Sequence, residues 1–264
     1  MIELLLYPLL LSIPLAVLIG PVGSILVWRR SSFLSDVIAH MGILAFALAE
    51  ILQWPILPVS MCVSVGIACL LEWAPSFVPK DAWLAGLSSF GIAVGLILLS
   101  ALNVGGNFDH VFWGDMFSLT LMDVVIVSIA AGFLGMHLIV FWKSLLLIIF
   151  HEQLAVLDGV PVPFIKVITN IVAGVVIALC LKVMGVLLAG ALFVLPSVGM
   201  RYLNLSPERH IVGTVVLILL SFIVGLGMSF ECDVIVAPCV IISLIFLNFT
   251  LFFIKKGIDS RPEK

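Results

Sequence analysis

The sequence predicts an all-α protein that crosses a lipid bilayer eight or nine times, and three observations carry that reading. Hydrophobic residues fill 63% of the 264 positions and charged residues only 10%, with a mean hydropathy of +1.36. A soluble domain is roughly 45–50% apolar and about 25% charged, so lipid must be the solvent for much of this chain. Charges and turn residues then cut the apolar mass into pieces close to the ~20 residues a helix needs to span a bilayer. Finally Trp28, Trp54, Trp73, Trp83, Trp113 and Trp142 fall at or near the ends of those pieces, at the headgroup level tryptophan prefers.

Taken in order, the spans cover residues 4–28, 33–53, 55–74, 83–102, 120–142, 164–182, 185–200, 211–230 and 235–254. The first is apolar from its start and lacks a basic leading region, so it reads as a span and not as a cleaved signal peptide. The seventh is short and contains Pro196, which predicts a broken or partial crossing and leaves the count at eight or nine. Between the spans no polar stretch is long enough for a soluble domain. The whole chain, residues 1–264, therefore reads as a single membrane domain, with a short loop element near 150–163 and a polar tail near 255–264.

Lys and Arg set the orientation, because loops on the cytoplasmic side collect them. With the N-terminus outside and nine spans, eleven of the twelve cations face the cytoplasm and only Lys182 does not. The outer loops are then 53–58, 103–119, a tight turn near 182–185, and 230–234, and the largest inner loop is 143–163. A net charge of −3 with no basic run gives no footing for nucleic acid. The five cysteines show no C-x-x-C spacing and read as small apolar residues.

Ionisable groups inside spans are costly and mark function. Asp36 and His40 lie four residues apart in the second span, on one helical face with ~6 Å of rise between them. A carboxylate and an imidazole suit zinc or manganese, and two ligands bind weakly enough to release. The same spacing also allows an intrahelical hydrogen bond that only anchors packing. His137 stands alone in the fifth span. In the outer loops Asp109, His110 and Asp115 form one acidic group and Glu231, Cys232 and Asp233 another. They are either a solvated surface or an entrance that attracts a cation.

On the inner side, residues 152–159 read as a short amphipathic helix stopped by Gly159 and followed by Pro161 and Pro163. Its Leu154 and Leu157 suit either a groove on a partner or the membrane surface. The chain has no G-x-x-x-x-G-K-[ST] phosphate loop, so ATP, if used, is hydrolysed by another subunit. An embedded enzyme is disfavoured too, since His151-Glu152 lacks a second histidine for H-E-x-x-H and G-x-S-x-G is absent. A gradient-driven carrier needs titratable relays through several spans, and only His137, Glu50 and Asp123 join the pair.

Several segments resemble the membrane permeases of bacterial zinc/manganese ATP-binding-cassette importers. They are Gly20-Pro21-Val22-Gly23-Ser24, Val27-Trp28-Arg29-Arg30, Ser35-Asp36 with Ala39-His40, Phe112-Trp113-Gly114-Asp115 with Asp123, Leu154 to Val160, Val183 to Leu188, Leu195-Pro196, Arg201 and Pro207-Glu208. They occur in order along nearly the whole chain, and the first run is most similar to the zinc-uptake members. The resemblance implies a permease of the metal-chelate, type II-like importer kind in a bacterial inner membrane. It further implies a homodimer, two cytoplasmic ATPases, an external metal-binding protein, and no resident cofactor beside the transported Zn2+, Mn2+ or Fe2+. It places Asp36 and His40 on the metal path, and Leu154, Leu157, Asp158 and Gly159 on the ATPase coupling segment. Two departures stand out. Met41 follows His40 where the family has a small residue, and Ile235 and Ala237 replace a Pro and a Gly in the last outer turn.

The orientation is directly testable. In a background stripped of the native cysteines, a cysteine at Gln153 is expected to resist an impermeant maleimide in intact cells, and one at Asn107 to react; the opposite pattern reverses the topology.

Overall fold

The computed structural model describes residues 2–72, 77–102, 114 and 120–259. Its helices are α1 (Ile2–Trp28), α2 (Phe33–Leu52), α3 (Ile56–Glu72), α4 (Lys80–Ala101), α5 (Leu121–Phe150), α6 (Glu152–Leu157), α7 (Val162–Arg201), α8 (Pro207–Cys232) and α9 (Val236–Asp259). No strand occurs among the described residues. Eight crossings long and apolar enough to span a bilayer are present, two of them contributed by α7, and α3 supplies a shorter apolar helix, Ile56–Leu71. The chain is a multi-pass membrane protein.

α7 is the centre of the molecule and is not one rod. Arg29 Nη1 donates to Asn170 Oδ1 at 2.7 Å, and Gly23 lies directly against the backbone of Phe193. Gly23 and Arg29, at the end of α1 and just past it, are only ~9 Å apart along the axis, whereas Asn170 and Phe193 would stand ~35 Å apart in a straight helix. The chain therefore doubles back between them, giving a first arm, Val162–Leu181, and a second, Val183–Arg201. Gly185 makes the turn at φ 71° and ψ 175°, a backbone region essentially closed to any residue with a Cβ. The turn falls near 182–185 as expected, whereas Pro196 stays inside a continuous second arm and does not break it. Gly114 seats on the turn: a Cβ there would lie 2.5–2.8 Å from backbone atoms of Met184, Gly185 and Val183.

The second arm is 76% buried, against 17% for the most apolar stretch of α5. α1, α2, α3, α8 and α9 pack around α7, and α4 packs on α2. α4, α5 and α9 turn most of their surface outward, as helices with lipid for solvent do. Packing against lipid-like neighbours gains nothing from the hydrophobic effect, so close backbone approach matters instead. The stripe Ser88, Gly91 and Gly95 on α4 shows this. Gly91 lies against the Met41 side chain, and a Cβ at Gly95 would come within 2.8–3.0 Å of Ile43 and Leu44. Met41, 2% exposed, is thus accommodated by a glycine opposite it.

α5 begins at a capping box in which Thr120 Oγ1 accepts from Asp123 N–H and the Asp123 carboxylate accepts from Thr120 N–H. It runs eight residues beyond the expected end at 142, because 143–150 contain no helix breaker and are mostly apolar. The expected 143–163 loop shrinks to α6 and its flanks. At the bend entering α9, Asp233 adopts the left-handed conformation at φ 53°. Val234 N–H donates to Ser229 O at 3.2 Å and Ser229 Oγ to Val234 O at 2.5 Å, so the turn closes without the missing glycine and proline.

Gly185→Ala is expected to destabilise the protein by roughly 1–3 kcal/mol through backbone strain, seen as a lower melting midpoint in detergent. Gly86→Ala, at a helical glycine with open space around its Cβ position, is the control and should leave the midpoint unchanged or raise it.

Candidate functional site

Asp36 and His40 lie on α2 near the end of the bundle that carries Arg29, Arg30 and Lys80. Asp36 is half-buried and faces the second arm of α7. Its Oδ1 sits where a side chain at position 190 would begin, so Gly190 is what lets the carboxylate lie between the two helices. There it lines a cleft of about 540 Å³ walled by Ser32, Phe33, Asp81, Ala191, Val194 and Leu195. Those residues come from the start of α2, the start of α4 and the second arm, and the cleft opens at the cation-rich end. Asp81, in the first turn of α4, places a second carboxylate on its wall.

His40 is one turn deeper and half-buried. Its Nδ1 is 2.7 Å from Ser88 Oγ on α4, and Ser88 is only 5% exposed. The intrahelical Asp36–His40 hydrogen bond that the spacing allowed is not formed among the described contacts; the imidazole pairs across to α4. Asp36 thus keeps its oxygens toward the cleft. No group of three or more His, Cys, Asp or Glu side chains gathers among the described residues. The described residues accordingly form no closed metal cage, which would normally need four ligands for zinc.

The other expected residues are placed as follows. Glu231 and Asp233 are exposed at the α8–α9 turn, at the opposite end of the bundle from Asp36. Asp109, His110 and Asp115 lie outside the described residues. His137 packs against Phe141 with ring centroids 4.8 Å apart. Leu154 and Leu157 project outward, 49% and 80% exposed, while Ala155 between them is fully buried. α6 ends in a Schellman closure: Val160 N–H donates to Ala155 O and Gly159 N–H to Val156 O, with Gly159 at φ 74°. A 2.6 Å ion pair from Lys166 to Glu152 fastens its start to α7.

Three features escaped the sequence reading. Ser88 and Gly190 are invisible as single small residues in apolar runs, although Gly91-x-x-x-Gly95 is a close-packing signal and marks the α4 face that holds Ser88. His210, 4% exposed, links α8 to the second arm through its Nε2, 3.0 Å from Ser197 Oγ, with its ring 5.2 Å from that of Trp28. Its place at the first turn of a span hid it among the charges of the preceding loop.

A bundle of apolar crossings with a carboxylate lining a cleft between its helices has the build of a membrane transport protein. The chain belongs to the ABC 3 transport family, whose sequence model matches residues 1–255. It is 27% identical over 259 residues to the high-affinity zinc uptake system membrane protein ZnuB of Haemophilus influenzae, covering 97% of this chain and 99% of that one. The ZnuB of Buchnera aphidicola subsp. Schizaphis graminum is 26% identical over 243 residues, covering 90% and 93%. Relatives named for iron and manganese transport match as well. Among solved structures, PsaBC from Streptococcus pneumoniae in complex with Fab superposes with a TM-score of 0.85 at 21% identity, over 95% of this chain and 91% of that chain; this likeness is one of fold.

Proposed function

We propose that this chain is the membrane-spanning subunit of an ATP-binding-cassette importer that carries Zn2+ into the cytoplasm of a bacterium by alternating access. The observation that carries the proposal is the Asp36–His40 pair, held on one face of α2 with Asp36 in an internal cleft. Membership of the ABC 3 transport family and the similarity to zinc uptake membrane proteins support the choice of process and cargo. Manganese or iron is the alternative cargo, since carboxylate and imidazole also serve those metals. A gradient-driven cation carrier is the alternative class; it lacks the support of a titratable chain through the bundle.

In this reading the N-terminus lies outside, the cation-rich end is cytoplasmic, and the inner membrane is the location. Glu231 and Asp233, with Asp109, His110 and Asp115, draw the cation to the outer face, where an external binding protein delivers it. Asp36 and His40 hold it in transit. In a two-fold homodimer the equivalent pair adds two further ligands. The chain carries no phosphate-binding loop and binds no resident cofactor; a pair of cytoplasmic ATPases supplies the energy. They dock on α6, where Leu154 and Leu157 stand exposed beside Asp158 and Gly159 on a helix capped at one end and ion-paired at the other.

Two experiments follow. Asp36→Asn and His40→Ala should each abolish zinc uptake in a chelated medium while insertion and ATPase binding persist; near wild-type uptake in both removes the pair from the pathway. Growth rescue by zinc, and not by manganese or iron, in the deletion strain fixes the cargo. Leu157→Asp puts a charge into an apolar contact at a cost of several kcal/mol. The ATPase should then fail to co-purify with a normally inserted permease, and retained, transport-coupled ATPase would place the docking site elsewhere.

A further inference from the structure

The contact between His40 and Ser88 carries an inference that rests on the pathway reading and extends it. We propose that Ser88 is the positioning residue of the cation site: its hydroxyl holds His40 by Nδ1 and makes Nε2 the atom offered to the metal.

Three observations lead there. The Nδ1···Oγ separation is 2.7 Å, short for a neutral pair and the mark of a well-made hydrogen bond. Ser88 is 5% exposed, so water does not compete for it. Many buried serines donate to a carbonyl of their own helix, as Ser24 does to Gly20 O and Ser243 to Cys239 O. Ser88 instead pairs with an imidazole across a helix interface, as Ser197 does with His210.

The chemistry follows from the imidazole. A neutral ring carries one N–H and one lone pair, and a metal takes the lone pair. With Nδ1 against Ser88, ligation through Nε2 requires the proton on Nδ1, and Ser88 Oγ accepts it. When Nε2 is unligated and protonated, the hydroxyl turns and donates to Nδ1. A hydroxyl can do both, whereas an alkyl group does neither and an ammonium or guanidinium can only donate. The ring therefore keeps its orientation through both states. Groups that hold a ligating histidine in this way typically contribute 10–100-fold to metal affinity or activity. The stripe Ser88, Gly91, Gly95 brings α4 near enough for the contact, because the glycines admit the Met41 side chain and the α2 backbone.

The test measures Zn2+ uptake by proteoliposomes holding the chain with its ATPase partner, for Ser88→Ala, Ser88→Cys, Ser88→Thr and His40→Ala. Ser88→Ala should lose 10–100-fold of uptake. Ser88→Cys, which keeps the volume but hydrogen-bonds poorly, should lose a similar amount, and it carries the test if the alanine variant fails to fold. Ser88→Thr, which restores the hydroxyl, should recover most of the rate. Imidazole 15N spectra, with the His40 signals assigned by their loss in His40→Ala, give an independent readout. Zn2+ should drive His40 to the Nδ1–H tautomer in the wild type and in Ser88→Thr, and leave a mixture in Ser88→Ala. Wild-type uptake in Ser88→Ala, or a threonine variant no better than alanine, overturns the assignment while an inactive His40→Ala keeps the pathway reading. A fully active His40→Ala overturns the pathway reading itself.

Discussion

The turn at Gly185 is the constraint on which the rest of the molecule depends. It exists because one residue without a Cβ accepts φ 71° and ψ 175°, and it converts forty helical residues into two adjacent crossings. The first arm supports α3 and receives Arg29; the second lies against α1, α2, α8 and α9. Only because the second arm returns does Gly190 come beside Asp36, and only because Gly190 is bare does the carboxylate have space there. Gly114, between α4 and α5 in sequence, rests on the turn itself.

Contacts elsewhere follow the same economy. Lipid solvates leucine as well as a protein core does, so the helices are held by backbone proximity and by scattered polar bonds. His210 with Ser197, Arg29 with Asn170 and His40 with Ser88 each join two different helices. The first two sit near the cation-rich end and fix α8 and α1 to α7. The third joins α4, a peripheral helix, to α2. The polar bonds add to the close packing that glycines such as Gly23 and Gly95 permit.

How much was legible in the sequence depended on the kind of signal. Apolar length and the placement of cations exposed the crossings, because the cost of charge in lipid is large and local. The α6 helix was legible because Gly159 and the two prolines punctuate it, and its Schellman closure matches that punctuation. The end of α5 was not, since the apolar run 144–150 was read as loop on the strength of Lys143 alone, and a long lysine chain tolerates the end of a span by reaching for the headgroups. The turn near 182–185 was legible from Lys182 and Gly185 between two apolar runs, whereas Pro196 was read as a break although prolines are borne within transmembrane helices. Asp36 and His40 announced themselves by charge. Ser88 and Gly190, which give the pair its geometry, did not, because their contribution lies in what stands opposite them and spacing along one strand of sequence does not record that.

The bond from His40 to Ser88 also makes the imidazole a gauge of the separation between α2 and α4. A hydrogen bond of 2.7 Å is lost once its partners part by about an ångström. A displacement of α4 of that size frees the ring to rotate and weakens whatever it ligates. Linkage makes the relation reciprocal: a cation that prefers the held ring draws α4 toward α2 by the same factor in equilibrium constant. In the proposed pathway, occupancy at His40 would thus bear on the whole of α4, whose first turn places Asp81 on the wall of the cleft.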